Sequence, residues 1–126
     1  MELKELEAKY KELGEEIEKL KETPSIPIQV DDEDLIGDYT WLQAHKQIEL
    51  LNSLNYKGFN NWRLPTKEEL NNLFLRKDAI GGFSSNYYWS STEYNDIYAW
   101  FQYFGNGNQD GYDKYDSNQV RCVRDI

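Results

Sequence analysis

The chain has one cysteine, one histidine, one methionine and three prolines in 126 residues. A single cysteine, Cys122, excludes an intrachain disulfide. The single histidine, His45, has no Cys, Asp or Glu around it at metal spacing, and it falls inside a helical stretch, so it reads as structural or exposed. Basic residues are the minority: 14 Lys and Arg stand against 23 Asp and Glu, for a net charge of −9. Nucleic acid and anionic membrane are disfavoured as partners, since both require a basic footprint. No apolar run approaches the roughly 18 residues of a spanning helix, and no signal peptide follows Met1, so no membrane insertion is expected. What is abundant is aromatic: 15% Phe, Trp and Tyr within 39% hydrophobic residues, so the core must lean on rings rather than aliphatics. The length fits one domain with a short N-terminal appendage.

That appendage, residues 1–23, places Leu3, Leu6, Tyr10, Leu13, Ile17 and Leu20 at a and d positions of three heptads, among Lys and Glu. It predicts a coiled-coil helix; the alternative is an amphipathic helix packed on its own domain. Tyr10 is bulky for a two-stranded seam, which favours a parallel homotrimer over a dimer. Thr23-Pro24-Ser25 stops the helix. Residues 24–35 then read as a linker with a short strand, Ile26–Val30, in which Pro27 suits an edge. Asp31-Asp32-Glu33-Asp34 is expected to be a solvated acidic turn, because the ligand spacing of a calcium loop is missing.

From residue 36 to 126 the pattern is α+β. Asp38 or Thr40 can cap a helix from Trp41 to about Leu54 that offers Leu42, Ile48, Leu51 and Leu54 to the core. Thr66 and Glu69 form a capping box for a second helix, Lys67 to Leu75, burying Leu70, Leu73 and Phe74. Beyond Gly81 short strands are expected at 87–90, 99–104, 111–115 and 119–125. There the alphabet collapses: 24 of the 35 residues from Ser84 to Asn118 are Tyr, Asn, Asp, Ser or Gly. Tyr supplies large amphipathic contact area with few torsions to freeze, and Ser, Asn and Gly supply adaptable hydrogen bonding, so this composition suits a contact surface better than a core.

Five ordered motifs carry a resemblance over residues 36–126. They are Trp62-Arg63-Leu64-Pro65-Thr66-Lys67-Glu68-Glu69-Leu70, Ile80-Gly81-Gly82-Phe83, Tyr88-Trp89-Ser90-Ser91-Thr92-Glu93, Ala99-Trp100 and Val120-Arg121-Cys122-Val123-Arg124. Together, with Thr40-Trp41-Leu42-Gln43-Ala44 at the first helix, they resemble the C-terminal domain of bacterial collagen-like adhesins, within the C-type-lectin fold. The resemblance implies two helices beside a small twisted antiparallel sheet, behind the coiled-coil helix. Members often carry a helix cysteine positioned to pair with that of the last strand; here Ile48 or a neighbour stands at that place, which implies a buried free thiol at Cys122. It also implies that Trp62, Trp89, Trp100, Arg63, Arg121 and Arg124 are scaffold.

A narrower resemblance is to variable proteins diversified by retroelements, whose lectin-fold display sites are rewritten at adenines of Asn codons. It rests on Asn95, Asp96, Ile97, Tyr98, Phe101, Tyr103, Gly105, Asn106, Asp110, Gly111, Tyr112, Asp113, Tyr115, Asp116, Ser117 and Asn118, all of residue types reachable from an Asn codon through its adenines. Ala99, Trp100, Gln102, Gln109 and Lys114 fall outside that set and read as fixed. An ordinary Tyr/Asn-rich lectin loop shares much of this composition. The expected ligand-binding residues are therefore Asn95, Asp96, Tyr98, Phe101, Tyr103, Asn106, Asp110, Tyr112, Asp113, Tyr115, Asp116 and Asn118.

Enzymes are argued against by absence. Formylglycine-generating enzymes resemble the Arg-Leu-Pro-Thr segment and the fold, but their oxidative chemistry implies a copper-holding cysteine pair, and one cysteine cannot supply it. One helical histidine gives no nucleophilic triad, and the calcium-dependent sugar motif Glu-Pro-Asn is missing. The reading is a ligand-binding display domain that needs no cofactor or metal, with a protein or glycan ligand and display on a virion or cell surface. The competing readings are a glycan-binding adhesin of fixed specificity and a structural trimeric cap.

Overall fold

A computed structural model describes residues 27–126. The expected coiled-coil helix of residues 1–23 and the oligomer it implies lie outside the described residues. The first element is strand β1, Ile28–Val30, followed by helix α1, Trp41–Ser53, a short 3-10 turn at Tyr56–Gly58 and strand β2, Trp62–Arg63. Helices α2, Lys67–Leu75, and α3, Lys77–Ile80, precede three longer strands, β3 (Tyr87–Glu93), β4 (Tyr98–Tyr103) and β5 (Gln109–Asp113), and the chain closes on β6, Val123–Asp125. The class is α+β, with one more short helix and one more sheet than expected: β1-β6-β2 and β3-β4-β5, each antiparallel.

Both long helices start where local chemistry dictates. Thr40, not Asp38, caps α1: its hydroxyl accepts from the Gln43 N–H, and the Gln43 side chain accepts from the Thr40 N–H. Ala44 and Ile48 are buried and Leu51 packs on the same core cluster. These positions are i, i+4 and i+7, so they define the inward stripe. Leu42, 59% exposed, stands half a turn away from it, and Leu54, 68% exposed, is the C-cap; the expectation that both are core is corrected. Thr66 and Glu69 form the second box at the start of α2, which buries Leu70 and Leu73 and sets Phe74 edge-on to Phe104.

The expected strand over 119–125 shortens to β6 because the residues before it bond to several different segments. Trp89 N–H donates to Gln119 O, Leu35 N–H to Val120 O and Asp31 N–H to Cys122 O. The segment is thereby covered on both sides, and Val120, Arg121, Cys122 and Val123 are all buried. Cys122 is a free thiol, pushed up to about 12 first by burial and then by the nearby Asp31 carboxylate.

Two further expectations are corrected here. The short strand expected within Ile26–Val30 is present as β1, Ile28–Val30, but the segment around it is part of the fold: β1 pairs with β6 and Leu35 is buried. Nor is Asp31–Asp34 simply a solvated turn. Asp31 is 1% exposed and accepts from the Tyr56 hydroxyl and the Lys57 ammonium, while Asp32 and Glu33 also converge on Lys57. Asp34 accepts from the buried Arg121 at 2.8 Å and from the Tyr88 hydroxyl. Arg121 donates further to the Asp31 and Gly81 carbonyls and lies 3.9 Å from the Phe83 ring centre. The acidic run is thus the counter-charge of Lys57 and of an arginine inside the fold, which needs paired carboxylates to be buried at all.

Candidate ligand-contact surface

The polar stretch is built on β3-β4-β5. In this sheet Tyr87 faces Tyr103, Trp89 faces Phe101, Phe101 faces Asp110 and Ala99 faces Tyr112. Side chains alternate across a strand, so Tyr87, Trp89, Ala99, Phe101, Tyr103, Asp110 and Tyr112 share one face. Near the middle of β3–β4 that face is core: Trp89 and Ala99 are fully buried and Phe101 is 8% exposed. Toward the end carrying Tyr87 it opens. Tyr87 lies 4.8 Å from Tyr103, 5.2 Å from Phe101 and 6.1 Å from Tyr112, centre to centre, and Tyr112 reaches over Phe101 at 5.3 Å. Tyr87 and Tyr112 remain 44% and 37% exposed. The result is an open aromatic shelf founded on the buried Trp89.

A second aromatic group occupies the opposite face. Tyr98, Trp100 and Gln102 alternate with the first set, and α2 covers Gln102 but leaves Trp100 at its N-terminal edge. Lys67 places its ammonium 3.5 Å above the Trp100 ring, and Tyr94 packs on it at 5.1 Å. Gly111, opposite Trp100, lies beneath Tyr94, where a Cβ would come within 2.8 Å of that ring. A bulge holds this arrangement: three residues of β3, Ser90 to Thr92, stand against the single Trp100. The bulge docks on the start of α2, with Ser91 N–H donating to Pro65 O, Lys67 N–H to the Thr92 hydroxyl, and the Ser90 hydroxyl to Trp100 O.

The residues read as fixed are the ones engaged internally. Ala99 is fully buried; Gln102 donates to Asn71 and Gly107, and Gln109 to Lys67 O and Gln102. Lys114 donates to Asp96 O, lies 3.4 Å from Glu93 and covers the Trp41 ring at 4.6 Å. His45 packs edge-on against Trp41, and burial lowers its pKa with Glu93 partly opposing.

The expected ligand residues divide. Tyr98, Tyr112, Tyr115, Asp96, Asp110 and Asp116 are exposed, and Tyr103 is half-buried on the shelf. Asn95 and Asn106 are exposed, yet each carboxamide oxygen accepts backbone N–H groups of its own turn; half-buried Asp113 does the same for Tyr115. Phe101 and Asn118 are corrected. Phe101 belongs to the core cluster, and Asn118, 3% exposed, exchanges both backbone hydrogen bonds with Tyr39. Nor do the twelve residues form one patch, since Tyr103 and Tyr112 are on one face and Tyr98 on the other. Tyr87 and Tyr94 were missed; the pairing of Tyr87 with Tyr103 in an antiparallel hairpin was the available signal.

Tyrosine hydroxyls sort the same way. Tyr39, Tyr56 and Tyr88 donate to protein acceptors. Tyr87, Tyr94, Tyr98, Tyr103, Tyr112 and Tyr115 have no such bond among the described residues. Among those residues no group of three or more His, Cys, Asp or Glu is arranged to hold a metal ion, and no helix is long and apolar enough to cross a membrane.

No curated protein matches the chain. The family model described as the Lcl C-terminal domain matches residues 20–124, spanning the five motifs and both sheets. The chain therefore belongs to the Lcl C-terminal domain family.

Proposed function

We propose that this is a ligand-binding, adhesin-like display domain whose contact surface is the open end of β3-β4-β5 with its flanking turns. One observation carries the reading. Tyr98, Asp110 and Tyr112 of β4 and β5, with Asp96, Tyr115 and Asp116 in the flanking turns, are exposed among residues engaged in the fold, and the hydroxyls of those tyrosines make no hydrogen bond among the described residues. Aromatic anchors of this kind dominate interface energies. The finer reading is that these positions are hypervariable, as in retroelement-diversified proteins of phage or cell surfaces, and that the domain is displayed outside the cell as a homotrimer and performs no catalysis. The internal work of Ala99, Gln102, Gln109 and Lys114 supports it, because changing the remaining exposed positions would disturb few internal contacts. Sequencing the gene's neighbourhood tests it: a near-duplicate template differing only at adenines supports diversification. A template differing at other bases, or none, leaves a domain of fixed specificity.

A further inference from the structure

The open aromatic shelf carries one carboxylate, Asp110, on its own face, and we infer that its partner is a cationic protein surface that lays arginine side chains over Tyr87, Tyr103 and Tyr112 and pairs with Asp110. This rests on the reading of that end of the sheet as the contact surface. Three other rings of the fold are covered by its own cations: Lys67 over Trp100 at 3.5 Å, Lys114 over Trp41 at 4.6 Å and Arg124 over Phe59 at 3.3 Å. Among the described residues no cation stands over Tyr87, Tyr103 or Tyr112. The rings are therefore open to a cation brought from outside, and a guanidinium stacks on such faces better than an ammonium.

Charge selects the same partner. The chain carries a net charge of −9, and of the acidic residues on β3-β4-β5 Asp110 lies on the shelf's face, whereas Glu93 and Asp113 pair with Ala99 and Tyr98 at the opposite end of the sheet. Lys114 is already tied to Glu93, Asp96 O and the Trp41 ring. Asp110 is exposed, faces Phe101 in register and stands two residues from Tyr112 on the same face; its Oδ1 accepts from the Gly111 N–H at 2.7 Å, which leaves Oδ2 for a partner. One arginine can stack on a tyrosine ring while its fork meets that carboxylate. A neutral sugar would use the rings but gain nothing from the charge, and an acidic polymer would be repelled.

The test is titration of the full-length chain with a hexa-arginine peptide, hexalysine, hexaglutamate and a neutral glucose hexasaccharide, followed through the tyrosine ring resonances at low and high salt. The expected result is that hexa-arginine moves Tyr87, Tyr103 and Tyr112, binds more tightly than hexalysine and weakens with salt. Tyr112→Ser and Asp110→Asn should each weaken it about fivefold, and Asp116→Asn, an equal charge change off the shelf, should weaken it less. If hexa-arginine binds but Tyr112→Ser leaves affinity unchanged, charge alone is responsible and the inference fails. If the hexasaccharide moves the three tyrosines and hexa-arginine does not, the cationic partner is wrong while the contact surface stands. If probes bind only at resonances remote from this end of the sheet, both readings fall, and if no probe binds the cationic partner is overturned.

Discussion

Cys122 is closed off on every side, between β1, the acidic segment and Trp89's neighbourhood, and its thiol is held in the protonated form to about 12 against an ordinary value near 9. The folded value is raised, so this group's contribution to stability is complete below about pH 9 and is lost as pH rises toward 12, where only the unfolded chain gains by ionising. Native protein at pH 8 should therefore react with an aromatic disulfide reagent only at the rate of opening, and Cys122→Ala should flatten the alkaline loss of thermal stability. Fast stoichiometric reaction of the native state would contradict the burial. The rings differ in the same way. Trp89 is fully buried and donates to Tyr39 O at 2.8 Å, so Trp89→Ala should cost ~3–5 kcal/mol in urea unfolding. Trp100 is half-exposed beneath Lys67 and Tyr94, so its truncation should cost clearly less. Changing Tyr98, Tyr103, Tyr112 and Tyr115 together to Ser should leave a cooperative unfolding transition; loss as severe as that of Trp89→Ala would make those tyrosines core. The residue-scale surprise is Phe101, whose type matches the display set but whose register opposite Trp89 buries it.

At the scale of elements, the ends of the helices were legible because a capping box is a contact over three residues, and Thr66 with Glu69 states it directly. Thr66→Ala should cost ~1 kcal/mol. Glu69 serves twice, accepting the Arg63 fork at 2.7 and 2.9 Å as well as the Thr66 N–H. Burial raises its pKa, but Arg63 and Thr66 outweigh that and hold it below the usual range. The contribution of Glu69 is thus present above about pH 4.5 and lost as pH falls through the lowered value, so Glu69→Gln should flatten the acid limb of stability against pH. The acidic segment was not legible, because its partners lie far along the chain: Asp34 meets Arg121, 87 residues away. Asp34→Ala strands a buried guanidinium and should cost ~3–5 kcal/mol. Asp34→Leu combined with Arg121→Met should cost less than Asp34→Ala alone, and equal losses would show that the pair does not act as a unit. The β3 bulge was equally hidden, since it exists to meet Pro65 and Lys67.

For the whole molecule, the heptads of residues 1–23 predict assembly. Light scattering at micromolar concentration should give about three times the 15.0 kDa chain mass, and removal of residues 1–23 should return the single-chain mass with the domain still unfolding cooperatively. A full-length monomer would remove the trimer reading; a dimer would keep the coiled coil and correct its count. Net charge of −9 and the placing of Asp110 on the shelf also belong to this scale, because only the assembled sheet brings Asp110 beside open rings while Lys114 is drawn away to Trp41.

By itself the sequence determined the class, the two capped helices, the free and buried Cys122 and the internal engagement of Ala99, Gln102, Gln109 and Lys114. Each of these follows from signals within a few residues or from motifs that travel as a unit. Tertiary structure alone decided which face of the sheet opens, that Phe101 and Asn118 are inside, that Asp31 and Asp34 serve Lys57 and Arg121, and that Tyr87 completes the shelf. The physical reason is that strand register and charge pairing are long-range. A tyrosine's composition class is fixed by its codon, but whether its ring meets solvent depends on which residue faces it across the sheet and whether α2 or the core covers that position.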